Sequence, residues 1–165
     1  MVKFSSKSIS EHAEVPLADE GQWETIVEHW QARGRSPAES GAEGGACYVA
    51  SVGDGRDPLA RAAQLAEIVS LVESQGGRVV GREVIHLAEP SPRTLLGKGT
   101  AEDVAARARA HGATMLVIDA ELSPSQLRNL EDAAGIPVAD REAIILNVFL
   151  RHARTRRARI QVEVV

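Results

Sequence analysis

The chain has 165 residues, 44 % of them hydrophobic and 25 % charged, which suits one soluble globular core with a tail. It has no uncharged apolar run long enough to span a bilayer and no apolar stretch behind Lys3 and Lys7 to serve as a secretory signal, so a cytoplasmic protein is expected. A single cysteine, Cys47, excludes internal disulfides and cysteine zinc sites. The net charge of -4 is unevenly spread: residues 1–58 carry 5 basic and 10 acidic side chains, residues 59–140 carry 8 and 11, and residues 141–165 carry 6 and 2. Any contact with a polyanion is therefore expected at the C-terminal end.

Residues 1–45 read as a flexible extension, with GRSPAESGAEGG (34–45) as its linker. Within it, QWETIVEHWQ places Trp23, Ile26, Val27 and Trp30 at i, i+3, i+4 and i+7, which predicts a short amphipathic helix over about 22–31. Its stripe either packs on the chain's own domain or offers a contact to a protein partner.

Short apolar runs alternate with helical patterns from Ala46 onward. ACYVASV (46–52) is the first strand. Asp57 and Pro58 suit the N-cap and first position of a helix running to about Gln75, with Gly76 ending it. Leu59, Ala62, Ala63, Ala66, Val69 and Val72 are expected to form the inner face of that helix. RVVGREVIHL (78–87) is a second strand, followed by the loop AEPSPRTLLGKG and a helix that Thr100 and Asp103 would cap, ending near Gly112. TMLVIDA (114–120) is a third strand. Ser123, Pro124 and Gln126 carry the capping-box pattern of the next helix, which Gly135 ends. Leu127, Leu130 and Ala134 are expected to face the sheet, with Gln126, Arg128, Asn129 and Asp132 outward. IPVAD (136–140) is a fourth strand, and a last helix follows with Ile144, Ile145, Val148 and Phe149 facing inward.

This alternation predicts an α/β fold: a mainly parallel sheet of four to five strands with helices on both faces, Rossmann-like or flavodoxin-like, ending in a basic helix. Ligands of such folds sit beyond the C-terminal strand ends. Asp54, Gly55 and Arg56, the 88–99 loop with Lys98, Glu121 with Ser123, and Asp140 with Arg141 should gather there.

The chemical motifs are weak. GKGT (97–100) fails as a phosphate loop, because Pro92 stands where its first glycine belongs and Gly99 follows the lysine. Gly53-Asp54-Gly55 lacks the third glycine of a dinucleotide fingerprint, Pro58 standing in its place. The five histidines show no metal-ligand spacing. No catalytic residue, metal or cofactor is assigned. RHARTRRARIQ (151–161) places Arg151, Arg154, Arg156, Arg157 and Arg159 on a continuing helix, a pattern suited to phosphate contacts.

Three stretches together resemble the HflX family of ribosome-associated GTPases: PRTLLGKG (92–99), LSPSQLRNLE (122–131), and DREAIILNVFLRHARTR (140–156) leading to IQVE (160–163). The resemblance covers residues 46–165. It implies the family's N-terminal α/β domain, which helps a GTPase bind the large ribosomal subunit and separate ribosomes under stress. Carried onto this sequence, it makes Lys98, Gln126, Arg128, Asn129, Arg141, Arg151, Arg154, Arg156, Arg157 and Arg159 candidates for rRNA contact. It also implies that GTP and Mg belong to a GTPase domain absent from these residues. The chain departs from the family at Thr100, where Lys is usual, at Asn147, where Asp is common, and at Arg156 to Arg159, which are more basic than expected. The resulting expectation is a monomeric, non-catalytic module that binds the large subunit and its rRNA. The alternatives are a nucleotide-binding or weakly ATP-hydrolysing α/β domain, ATP binding being ascribed to the N-terminal domain of some relatives, and a protein-interaction module.

Overall fold

The structure is a computed structural model that describes residues 44–148. In chain order the elements are β1 (Ala46–Gly53), α1 (Pro58–Ser74), β2 (Arg78–His86), α2 (Lys98–Ala110), β3 (Met115–Asp119), α3 (Pro124–Ala134) and β4 (Val138–Asp140). A helical segment over 141–148, termed α4, follows directly. The extension 1–43, with Trp23 and Trp30, and the arginines from Arg151 to Arg159 lie outside the described residues.

All four strands are parallel, in the order β2-β1-β3-β4. Each connection must therefore cross over, and the helices serve as crossovers that bury both sheet faces. The four described strands fall within the expected number. On one face α2 and α3 pack on Ala50, Ile85, Leu116, Ile118 and Val138. On the other, α1 and α4 pack on Cys47, Val49, Val117 and Ala139. Because successive strand residues point to opposite faces, β1 and β3 read as continuous apolar runs.

Local chemistry accounts for most element ends. Asp57 Oδ1 accepts from Ala60 N at 2.9 Å with Pro58 behind it, as anticipated. At the other end of α1, Gly77 N donates to Val72 O at 3.1 Å and Gly76 takes φ +82°, a Schellman ending that the expected glycine makes accessible. The α3 capping box is complete: Ser123 Oγ accepts from Gln126 N at 3.2 Å, and Gln126 Oε1 accepts from Ser123 N at 3.0 Å. Asp140 Oδ1 accepts from Ala143 N at 2.8 Å and so opens α4.

Three expectations are corrected. Helix α1 buries Ile68, Val69 and Val72 and half-buries Leu65 and Leu71, while Leu59, Ala62, Ala63 and Ala66 face away from the sheet and Leu59 is 84 % exposed. Alanines are compatible with either face, so the larger Leu65 and Ile68 set the rotation by burying more area. Helix α2 begins at Lys98 with Gly97 as its N-cap and no side-chain cap, rather than with a Thr100 box. Buried Leu96 anchors the chain immediately before Gly97, and the glycine turns into the helix at φ +78°. In α4 the buried residues are Ala143, Ile144 and Leu146, with Ile145 and Val148 half-buried and Phe149 outside the described residues.

One bulge sharpens the β1–β2 pairing. Cys47 pairs with Val79 and Tyr48 with Gly81, skipping Val80. A Cβ on Gly81 would lie 2.4 Å from the Tyr48 ring, so glycine is what allows that ring to lie across β2. The Tyr48 hydroxyl donates to Glu83 Oε1 at 3.0 Å, and Arg107 of α2 grips the same carboxylate through two bonds of 3.0 Å.

Candidate functional site

The parallel sheet collects the ends of its strands on one edge, and three structures occupy it. After β1, Asp54 Oδ1 accepts from Arg56 N at 3.0 Å and Oδ2 pairs with Arg56 Nε at 3.2 Å. Both side chains are exposed, so the pair contributes little to stability, about 0–1 kcal/mol.

Between β1 and β3, where the strand order reverses, lies a polar network. Ser51 Oγ donates to Asp119 Oδ2 at 3.3 Å, and Arg141 Nη1 donates to Asp119 Oδ1 at 2.7 Å. Arg141 Nη2 reaches Glu67 Oε1 of α1 at 3.0 Å. The Asp119 side chain is 2 % exposed and that of Arg141 is 31 % exposed. Burying a carboxylate this deep is costly unless it is paired and hydrogen-bonded. Its hydrogen bond holds the Arg141 guanidinium protonated beyond the usual arginine range. Arg141 therefore enters the structure as the partner of Asp119 and Glu67. Its guanidinium lies at the strand-order reversal, where folds of this topology hold ligands.

The third structure is the loop after β2. Ser91 and Leu95 exchange both backbone hydrogen bonds, at 2.8 and 2.9 Å, closing a turn with Pro92, Arg93 and Thr94 at its tip. Leu95 holds φ +64°, the left-handed region costly for a branched side chain. The buried Thr94 Oγ1 has no hydrogen-bond partner among the described residues. Such a shape persists only when the surroundings over-determine it, and α3 does so. Gln126 Nε2 donates to Ser91 O at 3.3 Å, and Asn129 Nδ2 donates to Arg93 O at 2.9 Å. Leu96 beyond the loop is fully enclosed, at 3 % exposure.

The expected site residues thus divide. Gln126 and Asn129 fasten the loop, and Gln126 also completes the α3 capping box. Lys98 at the start of α2 and Arg128 on the outer side of α3 are exposed. Arg141 belongs to the ion-pair network. Arg151, Arg154, Arg156, Arg157 and Arg159 lie outside the described residues. Sequence reasoning did not single out Arg93, exposed at the loop tip; its signal was its place beside Pro92 in a turn-forming run. The partners Glu67 and Ser51 were also unforeseen, since they are 74 and 68 residues from the groups they serve. Among the described residues no group of His, Cys, Asp or Glu is placed to hold a metal ion, and no helix is long and apolar enough to cross a membrane.

Residues 62–150 match the family model described as GTP-binding GTPase N-terminal. The chain is similar to the protein named GTPase HflX of Lacrimispora saccharolytica, 41 % identical over 113 residues, which is 68 % of this chain and 26 % of that protein. It is similar to GTPase HflX of Spirochaeta thermophila, 35 % identical over 125 residues, 76 % of this chain and 30 % of that protein. With GTPase HflX of Escherichia coli it shares 37 % identity over 99 residues, 60 % of this chain and 23 % of that protein. The matches thus span about a quarter to a third of these relatives' length.

Proposed function

Because the chain belongs to the family of GTP-binding GTPase N-terminal domains carried by the HflX proteins, we propose that it is a non-catalytic module that grips the rRNA of the large ribosomal subunit. On this reading it acts in the cytoplasm, as part of the machinery that separates or rescues ribosomes under stress. The GTP chemistry named in its relatives is assigned to the part of them that this chain does not match.

The observation that carries the proposal is the fastened loop after β2. A guanidinium contributes most to phosphate recognition when it is held in place before binding, since less conformational entropy is then lost. The Gln126 and Asn129 bonds hold the backbone that bears Arg93, while Lys98 and Arg128 stand exposed on the helices adjoining the same loop. The arginine-rich run at 151–159 would add charge to this contact. Nucleotide binding is the less favoured reading, because the sequence carries no complete phosphate-binding motif and the strand reversal presents the Asp119 carboxylate paired to Arg141.

The test is binding to purified large subunits across a salt series. Each phosphate contact contributes a log–log slope of about -0.7 to -0.9. Arg93→Gln, Lys98→Gln and Arg128→Gln combined should weaken binding and flatten the slope by about two units. Arg154→Gln, Arg156→Gln and Arg157→Gln combined should flatten it by about two to three units. If both triple variants keep the parent affinity and slope, the proposal fails.

A further inference from the structure

The Gly53-Asp54-Gly55 turn lacks the third glycine of a dinucleotide motif, yet it lies at the C-terminal edge of the sheet, where folds of this class hold ligands. Its glycines have a different use. A Cβ at Gly53 would overlap the Arg61 guanidinium, and one at Gly55 would lie 3.1 Å from His86 Nδ1. Each missing side chain makes room for a basic group from another element, Arg61 from α1 and His86 from the end of β2. Gly53 and His86 are paired residues of adjacent parallel strands, which run about 5 Å apart and point paired residues to the same sheet face. The guanidinium and the imidazole are therefore neighbours on the α1 side of this edge.

The acids of this corner are engaged elsewhere. Asp54 pairs with Arg56, and Asp57 caps α1 through Ala60 N. Arg61 Nη1 donates to the neutral Gln64 Oε1 at 2.7 Å, and no carboxylate pairs with Arg61 among the described residues. His86 is exposed, and a ring N–H of histidine can donate in either protonation state. The first turn of α1 holds no acidic side chain, so Arg61 adds its charge to the positive end of that helix, an arrangement that a bound anion stabilises. The loop bearing Arg93 begins directly after β2, and the corner thus continues the edge on which Arg93 and Lys98 stand. Separate cations strung along an edge suit a chain of phosphodiesters, each meeting its own phosphate. A compact nucleotide instead needs a cradle of backbone amides.

We propose that Arg61 and His86, seated on Gly53 and Gly55, form a further contact for rRNA phosphates beside the Arg93 loop. The proposal rests on the rRNA-binding reading above and extends its surface to the corner between β1, β2 and α1. Gly53 serves here by leaving room for the guanidinium, which Gln64 then holds in place before binding.

Binding of the full chain to purified large subunits across a salt series tests this. Arg61→Gln with His86→Gln should weaken binding about ten-fold and flatten the log–log slope by about one unit. Gly53→Ala keeps every charge but displaces the guanidinium, so it should weaken binding several-fold with the unfolding midpoint unchanged. Arg78→Gln removes a charge from an exposed position at the opposite end of β2 and should leave affinity at the parent value. Parent affinity in either the Arg61–His86 variant or Gly53→Ala would overturn the proposal, while the Arg93, Lys98 and Arg128 variant would still report on the rRNA reading by itself. Equal weakening by Arg78→Gln would overturn it too, since net charge alone would then account for the effect. No binding by the parent would overturn both. Binding of a fluorescent ATP analogue that these variants abolish, with subunit binding retained, would overturn it in favour of a free nucleotide.

Discussion

Single residues show how much an outcome depends on what surrounds a group. A Cβ on Gly53 would lie 2.3 Å from the Arg61 guanidinium and one on Gly81 would lie 2.4 Å from the Tyr48 ring. The distances are alike, but the neighbours differ. Arg61 ends in a flexible group that can swing aside, whereas the Tyr48 ring is held by Glu83, which Arg107 holds in turn. Gly53→Ala should change stability by less than about 0.5 kcal/mol, and Gly81→Ala should cost about 1–3 kcal/mol; urea unfolding of the two variants checks the contrast. The side chains beside this bulge also set the alkaline limit. Burial pushes the Cys47 thiol above its ordinary 9.0. Burial, with the Glu83 hydrogen bond and charge adding to it, pushes the Tyr48 phenol above 10.0. Both native forms hold their protons more tightly than the unfolded chain, so their contribution is complete below about pH 9 and declines as pH rises through the native values. The unfolding midpoint should fall above that pH. Cys47→Ala should remove the first part of the fall, and Tyr48→Phe the part above about pH 10.

At the scale of elements, the loop after β2 and helix α3 behave as one unit. The left-handed Leu95 and the Thr94 hydroxyl, without a partner among the described residues, both raise the free energy of this loop. The carboxamides of Gln126 and Asn129 offset part of that cost from outside the loop. Asn129→Ala removes one hydrogen bond and should destabilise by about 1 kcal/mol globally. Its larger expected effect is local: amide hydrogens of residues 91–96 should exchange faster while those of β1 and β3 keep their protection, as hydrogen exchange read by mass spectrometry would reveal. Equal protection of the loop in variant and parent would show that the turn holds its shape without α3.

At the scale of the whole described domain, two half-cores join across one sheet, and Arg141 ties its layers at the strand edge. It links the end of β3, through Asp119, to α1, through Glu67. Arg141→Gln would leave the Asp119 carboxylate buried without its ion partner. Loss of one member of a buried pair costs about 3–5 kcal/mol, and the partial exposure of Arg141 places this case near the lower end. Thermal unfolding should show the loss, and the double variant Arg141→Gln with Asp119→Asn should recover part of it. The sequence also contains no complete nucleotide-binding motif. The purified chain should therefore show no binding of a fluorescent GTP analogue above background, and micromolar binding competed by GTP and not by ATP would contradict this.

The sequence by itself determined the order of strands and helices, their parallel pairing and most of their ends. These features rest on interactions between near neighbours: Asp57 and Ser123 cap their helices by bonds to amides three residues on, Gly76 and Gly135 supply the left-handed turn, and apolar runs at β1 and β3 report burial on both faces. The three motif stretches likewise sufficed to identify the family. Only the tertiary structure decided the rotation of α1, the start of α2 at Gly97 and the duties of Gln126, Asn129 and Arg141. An alanine-rich helix carries too little contrast between its sides for periodicity to orient it, so the sheet beneath selects Leu65, Ile68 and Val72. The polar side chains were exposed candidates in the sequence because their acceptors, Ser91 O, Arg93 O and Asp119, lie 35, 36 and 22 residues away. Short-range patterns cannot encode such partners. Folding brings them together, because a buried polar group left unpaired costs free energy.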